Sequence, residues 1–322
     1  MWKILSKLNK NLVFSIPVAM VLGFIWGLTL PYQWLKSLIF IMTFVMIFPM
    51  MVTLKIKNIM NFADIKLQSV TQIVNFGVLP FVALLLGNIF FKEQPYFALG
   101  LFIASLLPTS GMTISWTAFA KGNVEAAVKM TFVGLTLGSV ALPFYISVFM
   151  GQSVVFNIAD IIKQIVYIIV IPMIVGQIIR RFILGKISEP QFKQQYMPKF
   201  SSVSTLGVLG IVFIAMALKA ESLVSQPAHI VFIVVPVVIF YGINYGLSTV
   251  IGRFFMNKAD AVAHVYGTVM RNLSISLAIA LNSFGENGAD AALVIAVAFI
   301  FQVQSAAWYI KVCEKVFTDK HN

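Results

Sequence analysis

Arg271 stands in the run Gly267-Thr268-Val269-Met270-Arg271-Asn272-Leu273-Ser274, with long apolar sequence on either side. A charge in such surroundings costs from about 2.5 kcal/mol upward, and it normally faces a cavity or a partner. The 11 acidic residues, from Asp64 to Asp319, all fall at the ends of apolar runs, in loops or in the tail. Two kinds of partner are left. Backbone carbonyls could be capped by the guanidinium, or an anionic ligand could be gripped through its bidentate geometry. A second polar run, Leu107-Pro108-Thr109-Ser110-Gly111-Met112-Thr113, interrupts another apolar stretch. Proline removes a backbone donor and clashes with the preceding turn, and glycine costs about 1 kcal/mol inside a helix. Unwound backbone is predicted in both runs.

Inside a bilayer, unwound backbone is tolerated only when buried in protein or lining an aqueous cavity. Its freed amides and carbonyls, with the half-helix dipoles, offer ligands to anions and cations respectively. The candidate substrate-binding residues are therefore Arg271, Asn272, Thr109, Ser110, Thr113 and Ser274. A proline kink beside a polar helix–helix seam accounts for the same residues without any ligand. Lys129 is expected to snorkel to an interface. His264 and Asp260, four apart, read as an interfacial salt bridge or as a protonatable pair.

The elements that must carry these residues follow from composition. Hydrophobic residues make up 60% of the 322-residue chain and charged ones 11%, against about 45–50% and about 25% in soluble domains. The apolar residues fall into ten spans near 12–30, 34–54, 69–91, 96–120, 124–149, 157–180, 201–219, 228–252, 261–284 and 288–313. None reads as a cleavable signal peptide. Counted in alternate connections, Lys and Arg divide 17 to 4, with Lys129 and Arg271 inside spans. That bias predicts a multi-pass protein of the cell (inner) membrane with both termini cytoplasmic. The net charge of +12 then belongs to a membrane protein, and no nucleic-acid partner is expected.

Ten spans can be two sets of five in opposite orientation, and the chain carries weak self-similarity at half its length. Ile16-Pro17-Val18 is echoed by Ile171-Pro172-Met173, Asn75-Phe76-Gly77 by Asn244-Tyr245-Gly246, and Gly111-Met112-Thr113-Ile114-Ser115 by Asn272-Leu273-Ser274-Ile275-Ser276. The predicted fold is an all-α polytopic unit over 1–322, with inverted five-helix repeats at 1–150 and 151–322 and broken crossing helices at spans four and nine.

Pro108 through Asn123, ending in Lys121-Gly122-Asn123, together with Val269-Met270-Arg271-Asn272, resembles the crossing motifs of the bile acid/sodium symporter family and its relatives, the arsenical-resistance permeases. The resemblance implies a panel of spans one, two, six and seven beside a core of spans three to five and eight to ten. It also implies sodium ligands at Thr113, Thr131, Asn75, Gly267 and Met270. This chain departs from that set. Ile114 stands for an Asn, Ala127 for a Ser, Arg271 for a Gln and Gly267 for the Glu shared by both sodium sites. Sodium wants oxygen and a nearby carboxylate, so these changes turn the local field against it. The resemblance also implies a fourth-span cysteine in the arsenical branch; Thr109 holds that place, and the chain's single cysteine is Cys313.

The expected function is a secondary active transporter of a small organic anion working by alternating access. Arg271, with Lys129, would supply the charge that sodium supplies in relatives. An efflux permease for an oxyanion or metalloid, and a sodium-coupled organic-anion symporter, stay open beside it. No cofactor is expected, and the coupling ion is left open between Na⁺, H⁺ and none, as in exchange. The partners are a small anion and the lipid bilayer, in a monomer or weak oligomer. The three histidines have no metal-ligand spacing and no intramembrane Asp pair is present, so no catalytic or metal site is predicted.

Overall fold

The structure, a computed structural model, describes residues 2–53, 64–151, 153–154, 157–225 and 228–317, and these are helical apart from turns and one isolated bridge. Lys55, Lys57 and Lys320 of the charge count, and His321, lie outside the described residues. In chain order the helices are α1 (Trp2–Lys10), α2 (Leu12–Thr29), α3 (Gln33–Thr53), α4 (Ile65–Phe90), α5 (Pro95–Leu106), α6 (Gly111–Phe119) and α7 (Val124–Met150). They continue as α8 (Ile158–Leu184), α9 (Glu189–Glu221), α10 (Val231–Phe255), α11 (Lys258–Val269), α12 (Leu273–Ser283) and α13 (Gly285–Val316). Seven of them, α3, α4, α7, α8, α9, α10 and α13, are long and apolar enough to cross a membrane. Several faces carry large apolar side chains outward, such as Phe14, Val18, Val21, Leu22 and Ile25 on α2. A helix that is apolar all round suits lipid, which accepts such faces.

The chain divides into two compact units. The first comprises 1–54, 155–230 and 274–296. Its helices meet backbone to backbone: a Cβ at Gly23 would lie 2.3 Å from the Phe213 carbonyl oxygen, and one at Gly207 would lie 2.4 Å from the Met46 nitrogen. In lipid there is no hydrophobic drive between helices, so small residues that permit close approach carry the packing. The end of α3 is held by polar groups. Gln177 donates to the Met51 carbonyl at 2.9 Å and Arg180 to the Thr53 carbonyl at 3.2 Å, while Arg180 also meets Glu189 at 3.4 Å.

The second unit comprises 55–154, 231–273 and 297–322. Within it, α4 contains a π-helical segment, Ile73–Val78, that carries Asn75. Such bulges shift side chains out of α register and are frequent at functional sites. Lys129 does not snorkel. It is buried and pairs with Asp64 at 2.7 Å and Glu125 at 3.5 Å.

Gly23→Val and Gly207→Val are expected to destabilise the purified protein by about 1–3 kcal/mol, the usual cost of overpacking. Gly242→Val, where a Cβ would meet nothing within 4 Å, should fall within about 0.5 kcal/mol of the parent. Thermal unfolding in detergent checks all three.

Candidate functional site

Two helix pairs break at the runs singled out in the sequence, and both breaks lie in the second unit. α5 ends at Leu106 and α6 begins at Gly111. α11 ends at Val269 and the next helix begins at Leu273. Each break leaves last-turn carbonyls without intrahelical donors. The two broken segments answer each other directly. Pro108 and Arg271 form an antiparallel bridge, and the Asn272 N–H donates to the Leu107 carbonyl at 2.7 Å.

Ser110 is the N-cap of α6: its hydroxyl accepts from the Met112 N–H, and the Thr113 hydroxyl accepts from the Ser110 N–H at 3.0 Å. Thr109, between proline and cap, sits at φ +61°. For a β-branched residue that conformation is strained, by about 1–3 kcal/mol, and persists only where its surroundings enforce it. The Thr109 hydroxyl reaches the Pro108 carbonyl at 2.7 Å and the Met130 carbonyl at 3.2 Å. Thr131 donates to the Ala127 carbonyl of its own helix at 2.8 Å.

Arg271 is wholly buried, and its guanidinium meets neutral acceptors only among the described residues. Nε donates to the Ala104 carbonyl at 3.2 Å. Nη1 donates to Asn75 Oδ1 at 2.5 Å and to the Thr268 carbonyl at 2.8 Å, and Nη2 to the Ser105 carbonyl. Ala104 and Ser105 close α5, and Thr268 closes α11. One cation therefore sits at the C-terminal, negative ends of both half-helices. Of the two partners left open for Arg271, carbonyl capping is the arrangement present.

Asn75 and Asn244, the pair that echo each other in sequence, do matching work. Asn75 Nδ2 donates to the Gly267 carbonyl at 3.1 Å and Asn244 Nδ2 to the Thr268 carbonyl at 3.0 Å. Gln302 is a site residue that sequence reading passed over. Its Oε1 accepts from the Arg271 N–H at 2.7 Å and from the Tyr241 hydroxyl at 2.9 Å, and its Nε2 donates to the Arg271 carbonyl at 3.1 Å. The signal was present as an amide inside the apolar run of α13.

Asn75, Thr109, Ser110, Thr113, Thr131, Gly267, Met270, Arg271 and Asn272 all lie buried in the second unit. Ser274 is half-buried and falls in the first unit. A Cβ at Gly267 would lie 2.6 Å from Met130 Sδ and 3.2 Å from Thr71 Cγ2. Met130 and Thr71 thus crowd the place from which a carboxylate at 267 would grow. His264 turns away from the expected salt bridge. Its Nδ1 meets the Thr71 hydroxyl at 2.9 Å, and Asp260 instead accepts from Asn123 at 2.8 Å and Asn257 at 2.7 Å. A cavity of about 410 Å³ in the same unit is lined by residues such as Asn88, Phe91, Lys92 and Ser153, and none of the crossing residues lines it.

Residues 40–226 match the family model described as the Sodium Bile acid symporter family, which covers more than half of the chain. The chain belongs to that family. Its members are membrane transporters and not enzymes, and the helices described above make this one a multi-pass membrane protein. The match takes in the first crossing segment and ends before the second. Among relatives, the arsenical-resistance protein Acr3 of Corynebacterium glutamicum is 25% identical over 241 residues, which is 71% of this chain and 65% of that protein. The protein of the same name from Alkaliphilus metalliredigens is 26% identical over 276 residues, 80% of this chain and 76% of its own length. Sodium/bile acid cotransporter 7 of Danio rerio is 25% identical over 183 residues, 54% of this chain and 52% of its own.

Arg271→Ala strands three buried acceptors, the Ala104 and Ser105 carbonyls and Asn75 Oδ1, at about 1–3 kcal/mol each when unsatisfied, while the Thr268 carbonyl keeps its bond from Asn244. It is expected to lower the unfolding temperature more than any single change at Thr113 or Thr131. Arg271→Lys should recover only part of the loss, because an ammonium lacks the planar fork. Parallel melts of the detergent-purified variants decide this.

Proposed function

We propose that this protein is a secondary active transporter of a small organic anion that works by alternating access without sodium. The observation that carries the proposal is the seat of the Arg271 guanidinium on the Ala104, Ser105 and Thr268 carbonyls and Asn75 Oδ1. A ring of neutral oxygens at two negative helix ends is what a bound cation would ask for. Here a side chain fills that role permanently. Ile114, Ala127 and Gly267 remove oxygens that a sodium ion would use, and Met130 crowds the position beside Gly267. Lys129 is engaged by Asp64 and Glu125, so the fixed charge at the crossing is that of Arg271.

The anion is assigned to the backbone that follows the breaks in the second unit, at Gly111 and Leu273, where Ser110, Thr113 and Asn272 stand. Gly111 is exposed, and a Cβ there would meet nothing within 4 Å. Three shorter apolar helices, Phe14–Thr29, Pro95–Leu106 and Leu273–Ser283, join the seven long ones in the ten-span reading. That reading includes two inverted repeats, a panel-and-core division and both termini in the cytoplasm. The matching work of Asn75 and Asn244 supports the repeats.

A second reading is favoured by the relatives named for arsenical resistance: efflux of an oxyanion or metalloid. Against a thiol-based site stands Thr109 in the broken fourth span, with the free Cys313 buried on α13.

The test is uptake and exchange of small organic anions and of arsenite by the full chain in proteoliposomes, each with Na⁺ and with K⁺. Organic-anion flux that is equal in both salts supports the proposal, and a strict sodium requirement overturns it. In Arg271→Ala, melts should become sensitive to added Na⁺, because the vacated carbonyl ring gains a mobile cation; a variant blind to Na⁺ would speak against the substitution of one cation by another.

A further inference from the structure

His264 is fully buried on α11, one turn before Gly267, and its contact with Thr71 fixes more than its position. The Thr71 hydroxyl has one proton, and its bond to the Leu67 carbonyl at 2.7 Å takes it. The ring therefore donates from Nδ1, and Nε2 carries the lone pair. Nε2 is buried without a partner among the described residues. The same stretch of α4 carries Gln68 and Gln72, whose buried Oε1 atoms, with Nε2 of Gln72, are likewise without partners. A basic nitrogen left without a partner in a fully buried ring is a poor packing element. It is a suitable acceptor for a proton.

Resting on the transporter reading, we propose that His264 Nε2 is the site at which this carrier binds its coupling proton. The lone pair takes one H⁺ from water, the ring becomes imidazolium, and no other bond is made or broken. The crossing then gains one mobile positive charge beside the fixed one of Arg271. The charged groups around the ring are engaged elsewhere or lie outward. Asp64, Glu125 and Lys129 form their own cluster from α4 and α7, and α6 brings no ionisable side chain. Asp260 is held by Asn123 and Asn257, and Tyr266 by the Ala306 carbonyl. From α10 and α13, Tyr245 and Tyr309 bond to Ser305 and Thr249, and Cys313 is buried. Lys66, Lys258 and Arg253 are exposed.

A proton is a probe that needs no knowledge of the anion. Full-length protein in proteoliposomes on a solid-supported membrane is given pH jumps from about 7.5 down to about 4, a range that passes well below ordinary imidazole titration. A transient charge displacement is expected, retained when His229 or His321 is replaced by Gln and reduced to the empty-liposome level in His264→Gln. A silent parent, or an undiminished signal in His264→Gln, overturns the proposal. Because a variant can misfold, the parent chain is also examined by ¹⁵N NMR of ring-labelled histidine near pH 7.5. The Nδ1–H tautomer at His264 is expected, with Thr71→Val shifting it; an Nε2–H ring in the parent overturns the assignment. A proton signal without anion flux in the uptake assay would remove the transporter reading and leave the proton site standing.

Discussion

Everything at the crossing depends on one electrostatic constraint: two helices stop within the same unit and leave their carbonyl ends facing one position. A helix C-terminus carries about half a negative charge, and two of them cannot be buried together without a cation or a set of donors. Arg271 supplies both at once. Its planar fork reaches Ala104 and Ser105 on one helix end and Thr268 on the other, and Asn75 fills the remaining direction. A buried guanidinium without a carboxylate would ordinarily be expensive. Here four of its five N–H groups find acceptors, and three of those acceptors have no other donor among the described residues. The cost of the charge and the cost of the broken helices cancel in one contact set.

The surrounding residues are arranged around that contact set. Gln302 clamps the Arg271 backbone from α13 as a strand neighbour would, with one bond to its N–H and one to its carbonyl. Asn75 lies in the π-helical segment of α4, where an added residue per turn rotates its amide toward the end of α11. Asn244 performs the equivalent bond from α10. Thr109 is held at positive φ between Pro108 and the cap of α6, a conformation that the packing of Gly134 beside its hydroxyl permits. The glycine is needed because a Cβ there would lie 2.7 Å from Thr109 Oγ1.

How much of this was legible in the sequence depended on whether the signal was local. The two breaks were readable, because proline, glycine and hydroxyls inside apolar runs leave few alternatives. Arg271 was readable as an anomaly, yet its partners were not: the acceptors are backbone carbonyls of Ala104 and Ser105, and backbone has no residue type to betray it. Gln302 was hidden because one amide in an apolar helix is common and its partner lies 31 residues away in sequence. Lys129 was misplaced because snorkelling is the default for a lysine near a span end, and only tertiary structure brings Asp64 within 2.7 Å. His264 was misplaced for a related reason. The i, i+4 spacing to Asp260 is real, but Asn123 and Asn257 compete for that carboxylate and win.

A cation fixed to the chain has a consequence for energetics. A carrier that binds sodium gains the free energy of the sodium gradient only because the ion enters on one side and leaves on the other. Arg271 does neither, since it is covalently part of the protein and present at the same position in every turnover. It can neutralise helix ends and set the local potential, but it cannot drive net movement, because a ligand that never dissociates shifts no equilibrium between the two sides. On the sodium-independent reading proposed above, such a carrier exchanges one anion for another or draws on a second mobile charge. Arg271 bears on that choice: a fixed positive charge favours a bound anion and disfavours a second cation. On that reading a mobile cation is small, reversible and held away from the guanidinium, conditions that a proton on the His264 imidazole of α11 meets better than a hydrated metal ion.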